Sequence, residues 1–308
     1  TLRFEIAPPT SIQFQDSPRI SPDGLHLAYN ATDSTGTNKI WVRPMNALAA
    51  QPLGGTEGAS RPFWSPDSRF LGFMAGGKLK KIPVTGGPIS VICDAPTGAD
   101  GAWSPNGTIL FDGRGNDPIM SVAAAGGIAV PLVSPDSTKG IGQVGWPDFL
   151  PDGNHFFYLA IRQEQTLMVG DLKSKKEVVV GPCESRVQFI PTGHLLFSRS
   201  GSLVVQGFDV GKLKLVGEPI PIAEQVTTDA VGAADFSAST TGTLCFSARR
   251  AQGGVLNQFN RDGRLVRVIP APSDLLIPDL SPDETRIAVR VIDAQTRSRD
   301  IWIIEMAR

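Results

Sequence analysis

The sequence predicts a seven-bladed β-propeller of four-stranded antiparallel blades. Two observations predict it: a short turn phrase that recurs seven times, and period-2 apolarity on both sides of each copy. The phrase reads Ser21-Pro22-Asp23-Gly24, Ser65-Pro66-Asp67-Ser68, Ser104-Pro105-Asn106-Gly107, Leu150-Pro151-Asp152-Gly153, Ile190-Pro191-Thr192-Gly193, Ser239-Thr240-Thr241-Gly242 and Ser281-Pro282-Asp283-Glu284. Counted at the third residue, the steps are 44, 39, 46, 40, 49 and 42, and seven repeats of 44 fill the 308 residues. A period of roughly 40–45 residues built from short strands is the mark of a propeller, one blade per repeat. Six or eight blades are the alternatives, because the sixth phrase is the most degenerate.

The phrase is turn chemistry. Proline pre-sets φ at the first corner, Asp or Asn bonds back to local backbone, and Gly accepts a positive φ. Downstream the chain alternates as Leu27/Tyr29, Leu71/Phe73, Ile109/Phe111, Phe156/Tyr158, Leu195/Phe197, Leu244/Phe246 and Ile287/Val289. Upstream, the third residue before the Asp position is apolar in every copy: Ile20, Trp64, Trp103, Phe149, Phe189, Ala238 and Leu280. Alternation flanking a two-corner turn is a hairpin with one buried face, and these hairpins form the inner two strands of each blade. Third strands are clearest at Ile40-Trp41-Val42 and Ile301-Trp302-Ile303. Fourth strands follow Gly86-Gly87, Gly126-Gly127 and Asn260-Arg261-Asp262-Gly263. After Trp302 too little chain remains for a fourth strand, so Leu2-Arg3-Phe4-Glu5-Ile6 is expected to supply it and close the ring. Residues 1–308 read as a single domain, with blades centred near 23, 67, 106, 152, 192, 241 and 283.

Composition narrows the function classes. A net charge of −1, with no basic run or one-signed tail, lacks the footprint of nucleic-acid or anionic-membrane binding. The cluster Lys173, Lys175 and Lys176 reads as a solvated hairpin tip. Three cysteines without a C-x-x-C pair give neither a disulfide framework nor a zinc site. No run approaches the ~18 apolar residues of a membrane span. The chain opens without an initiator Met or a signal peptide, which suggests an excised or mature piece.

Catalytic patterns are absent: no G-x-S-x-G elbow, H-E-x-x-H, phosphate loop or kinase H-R-D and D-F-G pair. His26, His155 and His194 occupy one equivalent repeat position on three blades, too far apart to share a metal at ~2 Å ligand distances. Asp112–Asp117 misses the EF-hand spacing and reads as a plain loop. No catalytic residue, metal or cofactor is therefore expected. One constellation stands out. Four and six residues before the Asp position, the innermost strands carry Arg19, Arg61, Asp100, Asp148, Arg186, Gln188, Asp235 and Asp279, with Trp146 at the same level. Propeller geometry gathers these strand starts around the central opening. Such a ring either receives a protein, peptide or small polar ligand, or plugs the channel with its own ion pairs and water.

The S-P-D-G phrase, followed by an alternating strand and then I-W-V, resembles the TolB-type, WD-like propeller repeats of bacteria. Longer stretches are similar to propellers fused to bacterial transmembrane serine/threonine protein kinases. They are Pro62–Phe70 running on through Gly77–Ile82, Trp146–Gly153 running on to Leu159-Ala160, Gly217–Glu224, and Asp300-Ile301-Trp302. The resemblance covers essentially the whole chain. It implies an extracytoplasmic sensor or docking propeller of a membrane kinase, monomeric when isolated and reaching the membrane only through a parent chain. A free periplasmic TolB-like scaffold and the accessory propeller of a prolyl-oligopeptidase-type peptidase are the alternatives. The peptidase would need an attached hydrolase domain, and the metal lyases known among propellers would need convergent histidines.

Overall fold

The computed structural model describes residues 6, 13–14, 18–113, 115–162, 164–224, 226, 228, 231–247, 254–259, 264–271, 275–283, 285–292 and 299–306. The chain divides into two compact units, Thr1–Ala248 and Arg249–Arg308. The described residues form antiparallel β-sheets with one short 3-10 turn at Ser137–Lys139.

In the first unit each repeat makes its own sheet. The inner hairpins are Arg19–Ile20 with His26–Thr32, Ser60–Trp64 with Phe70–Ala75, Gly101–Trp103 with Thr108–Phe111, Gln143–Phe149 with His155–Ile161, Val187–Ile190 with His194–Arg199, and Phe236–Ala238 with Leu244–Phe246. Sheets two to five are four-stranded in simple meander order, and the first sheet also carries Gln13–Phe14 against His26–Thr32. In the second unit Gly254–Phe259 pairs with Leu265–Ala271, and the seventh repeat forms the three-stranded sheet Leu275–Leu280, Arg286–Ile292 and Arg299–Glu305. The corner Asn260–Gly263 and the expected closing residues Leu2–Glu5 lie outside the described residues. Ile6 packs beside Leu27 and Tyr29.

The phrase works as its residues dictate. Ser21 Oγ donates to Asp23 Oδ1 at 2.5 Å and accepts the His26 N–H at 2.9 Å. Gly24, at φ +77°, donates its N–H to the Ser21 carbonyl. Ser65 with Asp67 and Ser281 with Asp283 repeat the arrangement. Turns also bond to neighbouring turns. Asp23 N–H donates to Ser68 Oγ, Ser104 Oγ donates to the Gly153 carbonyl, and the Thr240 N–H donates to the Pro22 carbonyl.

The innermost strands of the first six repeats adjoin in sequence, and the sixth adjoins the first, so six inner strands meet within the first unit where seven were expected. The Ile20 N–H donates to Ser237 Oγ across that last junction. Among the described residues of the first unit, each interface between neighbouring sheets holds its own apolar cluster. Ile40, Leu71 and Phe73 lie between the first pair, and Phe157, Leu195 and Phe208 between the fourth and fifth. Leu196, Leu203 and Phe236 lie between the fifth and sixth, and Cys245 of the sixth reaches Leu27 and Tyr29 of the first. Each such fully buried side chain contributes about 1.5–3 kcal/mol.

Close approach fixes glycine at Gly72 and Gly101. The Phe63 ring lies between them, and a Cβ on either would run into it. Gly72→Ala is expected to cost about 1–3 kcal/mol through overpacking. A lowered urea midpoint at unchanged m-value is the readout.

Candidate functional site

The inner strands of the second and fourth repeats each carry a β-bulge, between Ser60 and Phe63 and between Gly145 and Asp148. In both, a proline that lacks an N–H follows the displaced residue: Arg61-Pro62 and Trp146-Pro147. Arg61 and Trp146 hold left-handed backbone, at φ +44° and +61°. A non-glycine residue there costs about 1–3 kcal/mol and persists only where surrounding structure enforces it. The two bulges re-aim these side chains, and the Arg61 guanidinium lies over the Trp146 ring, 4.7 Å from its centroid. Trp146 Nε1–H donates to the Val231 carbonyl at 2.8 Å, which ties the ring to the loop leading into the sixth repeat.

Beside this pair sits a charge cluster in which Asp100 and Arg186 are buried and Arg19, Asp148 and Asp235 half-buried. Arg19 Nη2 donates to Asp100 Oδ2 at 2.8 Å, and the Gly101 N–H donates to Asp100 Oδ1. Arg186, 6% exposed, donates from Nε to the Ala234 carbonyl and from Nη2 to the Phe236 carbonyl, and stacks on the Phe236 ring. Asp235 adds a carboxylate that acts on Arg186. Asp148 completes the group, and the Phe189 N–H approaches its Oδ2 at 3.4 Å. Arg19, Asp100, Trp146, Asp148 and Arg186 line a polar cavity of about 30 Å³, room for one or two waters.

Burial sets the proton affinities here. It pushes the Asp148 carboxyl up to about 7, against the pull of Arg186. Asp112 is likewise pushed up to about 7 by burial and by the Asp100 charge. Burial also acts to raise Asp100, but the Arg19, Arg61 and Arg186 charges outweigh it and hold this carboxyl below its ordinary value. Burial and the nearby Arg19 charge pull the Arg186 guanidinium down to about 9, still cationic at neutral pH.

The structure thus brings Arg19, Arg61, Asp100, Trp146, Asp148, Arg186 and Asp235 into one network. Gln188 does other work. Its amide donates to the Ala238 carbonyl and accepts the Ala238 N–H, both at 2.8 Å, stitching the fifth inner strand to the sixth. Asp279 belongs to the second unit, where its side chain is exposed.

Asp112 is the residue that sequence reasoning passed over as part of a plain loop. Its carboxylate is buried and accepts the Asp100 N–H on Oδ1 and the Trp146 N–H on Oδ2, each at 2.7 Å. A signal existed in the sequence. The residue just after the second core position is polar in five repeats, Asn30, Asp112, Ser198, Ser247 and Arg290, and apolar in the other two. The histidines stay on separate sheets. His155 lies between Asp152 and Asp171, and His194 bonds within its own turn to Thr192. Among the described residues no group of three or more His, Cys, Asp or Glu is placed to hold a metal ion. Among them, too, no helix is long and apolar enough to cross a membrane.

No family model matches the chain, and no curated protein matches it. Solved structures do. TolB from Acinetobacter baumannii aligns at 15% identity and a TM-score of 0.52, over 69% of this chain and 55% of that one, so the match spans about half of that protein. Oligogalacturonate lyase in complex with manganese aligns at 13% identity and a TM-score of 0.55, over 96% of this chain and 90% of that one. The β-propeller domain of Cps50 (Swd1) from Myceliophteria thermophila aligns at 14% identity and a TM-score of 0.53, over 97% of this chain and all of that domain. At such identities the likeness speaks for architecture alone: the chain has a β-propeller fold, shared with TolB-like propellers.

Proposed function

We propose that this chain is a non-catalytic recognition propeller that takes a protein, peptide or small polar ligand at the mouth of its channel. The observation that carries this reading is the strained Arg61–Trp146 pair, whose indole borders a small polar cavity lined by Arg19, Asp100, Asp148 and Arg186. Backbone strain of this kind collects at ligand clamps. The stretches similar to kinase-linked propellers support a place as the extracytoplasmic sensor of a bacterial transmembrane serine/threonine kinase. The fold shared with TolB supports a second reading, a free periplasmic scaffold.

The test is a thermal-shift screen of the purified chain against charged and zwitterionic small molecules and short peptides, repeated on Trp146→Phe and Arg61→Asn. The expected result is a set of hits whose stabilisation changes in both variants. Turnover of any compound by the purified chain, or hits indifferent to both substitutions, would overturn the proposal.

A further inference from the structure

Two arginines line the small cavity beside Trp146 with hydrogen-bond donors still to place. A guanidinium carries five N–H donors in a planar fork. Arg186 gives Nε and Nη2 to the Ala234 and Phe236 carbonyls, and among the described residues no carboxylate forms an ion pair with it. Arg19 gives one bond, from Nη2 to Asp100. Arg186 is therefore a buried cation bonded to neutral groups alone, an arrangement that is costly until an anion lies against it. Asp148 lines the same cavity, and its carboxyl is nearly idle. Its hydrogen bonding among the described residues is the 3.4 Å approach of the Phe189 N–H. The charges facing it are Arg186 and Arg19, which favour its ionised form, and Asp100, which opposes it. Burial outweighs the arginines and pushes the carboxyl up to about 7, so near neutral pH it holds a proton about half of the time. The cavity, about 30 Å³, has room for one or two waters. Two waters are the equivalent of the two oxygens of one carboxylate group.

We propose that this cavity is a carboxylate pocket, in which Arg19 and Arg186 take the oxygens of one carboxylate group of a ligand and the Asp148 carboxyl donates its proton to it in a hydrogen bond. This rests on the reading of the channel mouth as the binding surface. The ligand's charge answers Arg186, which the protein leaves without an ion pair. It also decides the state of Asp148, because two carboxylates sharing a site do not both stay ionised. Above pH 7 each ligand bound therefore brings one proton from solvent onto Asp148; well below pH 7 the proton is already there. A neutral amide or an amine leaves both guanidiniums unanswered and is excluded.

The experiment is ligand-observed NMR titration of the intact chain at pH 6 and pH 8. The probes are N-acetylglycine, acetate, the neutral N-acetylglycinamide and the cationic agmatine, on wild type, Asp148→Asn, Arg19→Gln and Arg19→Lys. N-acetylglycine is expected to bind wild type about tenfold more weakly at pH 8 than at pH 6, one proton against a group near 7. Asp148→Asn is expected to bind it equally at both, since an amide keeps a donor and loses the titration. Arg19→Gln is expected to lose at least about tenfold in affinity, and Arg19→Lys to recover part of that loss. Should Arg19→Gln fail to fold, the pH comparison between wild type and Asp148→Asn carries the test. N-acetylglycine ahead of acetate identifies a peptide terminus as the source of the carboxylate, and equal affinities a small free acid; either supports the pocket. N-acetylglycinamide binding as well as N-acetylglycine, a pH slope that persists in Asp148→Asn, or unchanged binding in Arg19→Gln overturns it. Binding of agmatine without either acid overturns the carboxylate assignment but leaves the channel mouth as the binding surface. If no probe binds, the carboxylate pocket is overturned, and if the screen above also yields no mouth-dependent hit, the reading of the mouth falls with it.

Discussion

Arg186→Met is expected to destabilise the fold by about 3–5 kcal/mol, the cost of removing one partner from a buried charge network. Methionine replaces much of the volume, so little of the loss is cavity formation. What remains is polar. The Ala234 and Phe236 carbonyls lose the guanidinium that donates to them, and the Asp148 and Asp235 carboxyls lose the Arg186 charge that acts on them. Arg186→Lys is expected to recover only part, because an ammonium lacks the planar fork that serves two carbonyls at once. Urea unfolding of the three proteins measures both. A loss below about 1 kcal/mol for Arg186→Met would mean that water replaces the guanidinium at no great cost.

Stability is expected to fall as pH rises from about 5 to 8. Unfolded carboxyls titrate near ~3.9, whereas burial pushes Asp112 and Asp148 up to about 7 in the fold. Between those values the unfolded chain has released protons that the folded chain still holds, so the slope of unfolding free energy against pH is negative. Each group contributes at most about 1.4 kcal/mol per pH unit. Below that window the sign reverses. Burial acts to raise Asp100, but the arginines hold it low, and its contribution disappears as pH falls. Asp136 and Asp283, drawn down to about 2 by hydroxyl hydrogen bonds from Thr138 and Ser281, act in the same direction. The optimum therefore sits near pH 4–5. Asp148→Asn is expected to remove its share of the alkaline slope. Urea midpoints at pH 5, 6.5 and 8 test this, and a flat profile for the wild-type chain would show that the arginines keep both carboxylates ionised.

The architecture was legible because its cause is local. Ser21, Asp23 and Gly24 bond among themselves within one turn, so a single phrase announces a hairpin wherever it occurs, and its spacing announces the repeat. Even the bulges left a mark: Pro62 and Pro147 stand five residues before the Asp position, where a ladder strand needs an N–H. The site was legible only in part. Residues before the turn share a periodic address, and that address led to Arg19, Arg61, Asp100, Trp146, Asp148 and Arg186. Asp112 sits after the turn, and the loop reading hid it. The bond from Trp146 to Val231 joins residues 85 positions apart, and no shared repeat address marks that pairing. Gln188 shares the periodic address yet turns to Ala238, because an amide can mimic a peptide group and extend the backbone ladder.

The junction of the sixth repeat with the first also sets an order of events. Each sheet is sewn from neighbouring residues and has what it needs soon after its own segment is made. The join between Ile20 and Ser237 spans 217 positions, the bond between Trp146 and Val231 spans 85, and that between Arg19 and Asp100 spans 81. Contacts so distant along the chain wait on loop closure and form late. During synthesis Arg186 therefore waits for the sixth repeat to supply the Ala234 and Phe236 carbonyls, and Ile20 waits for Ser237.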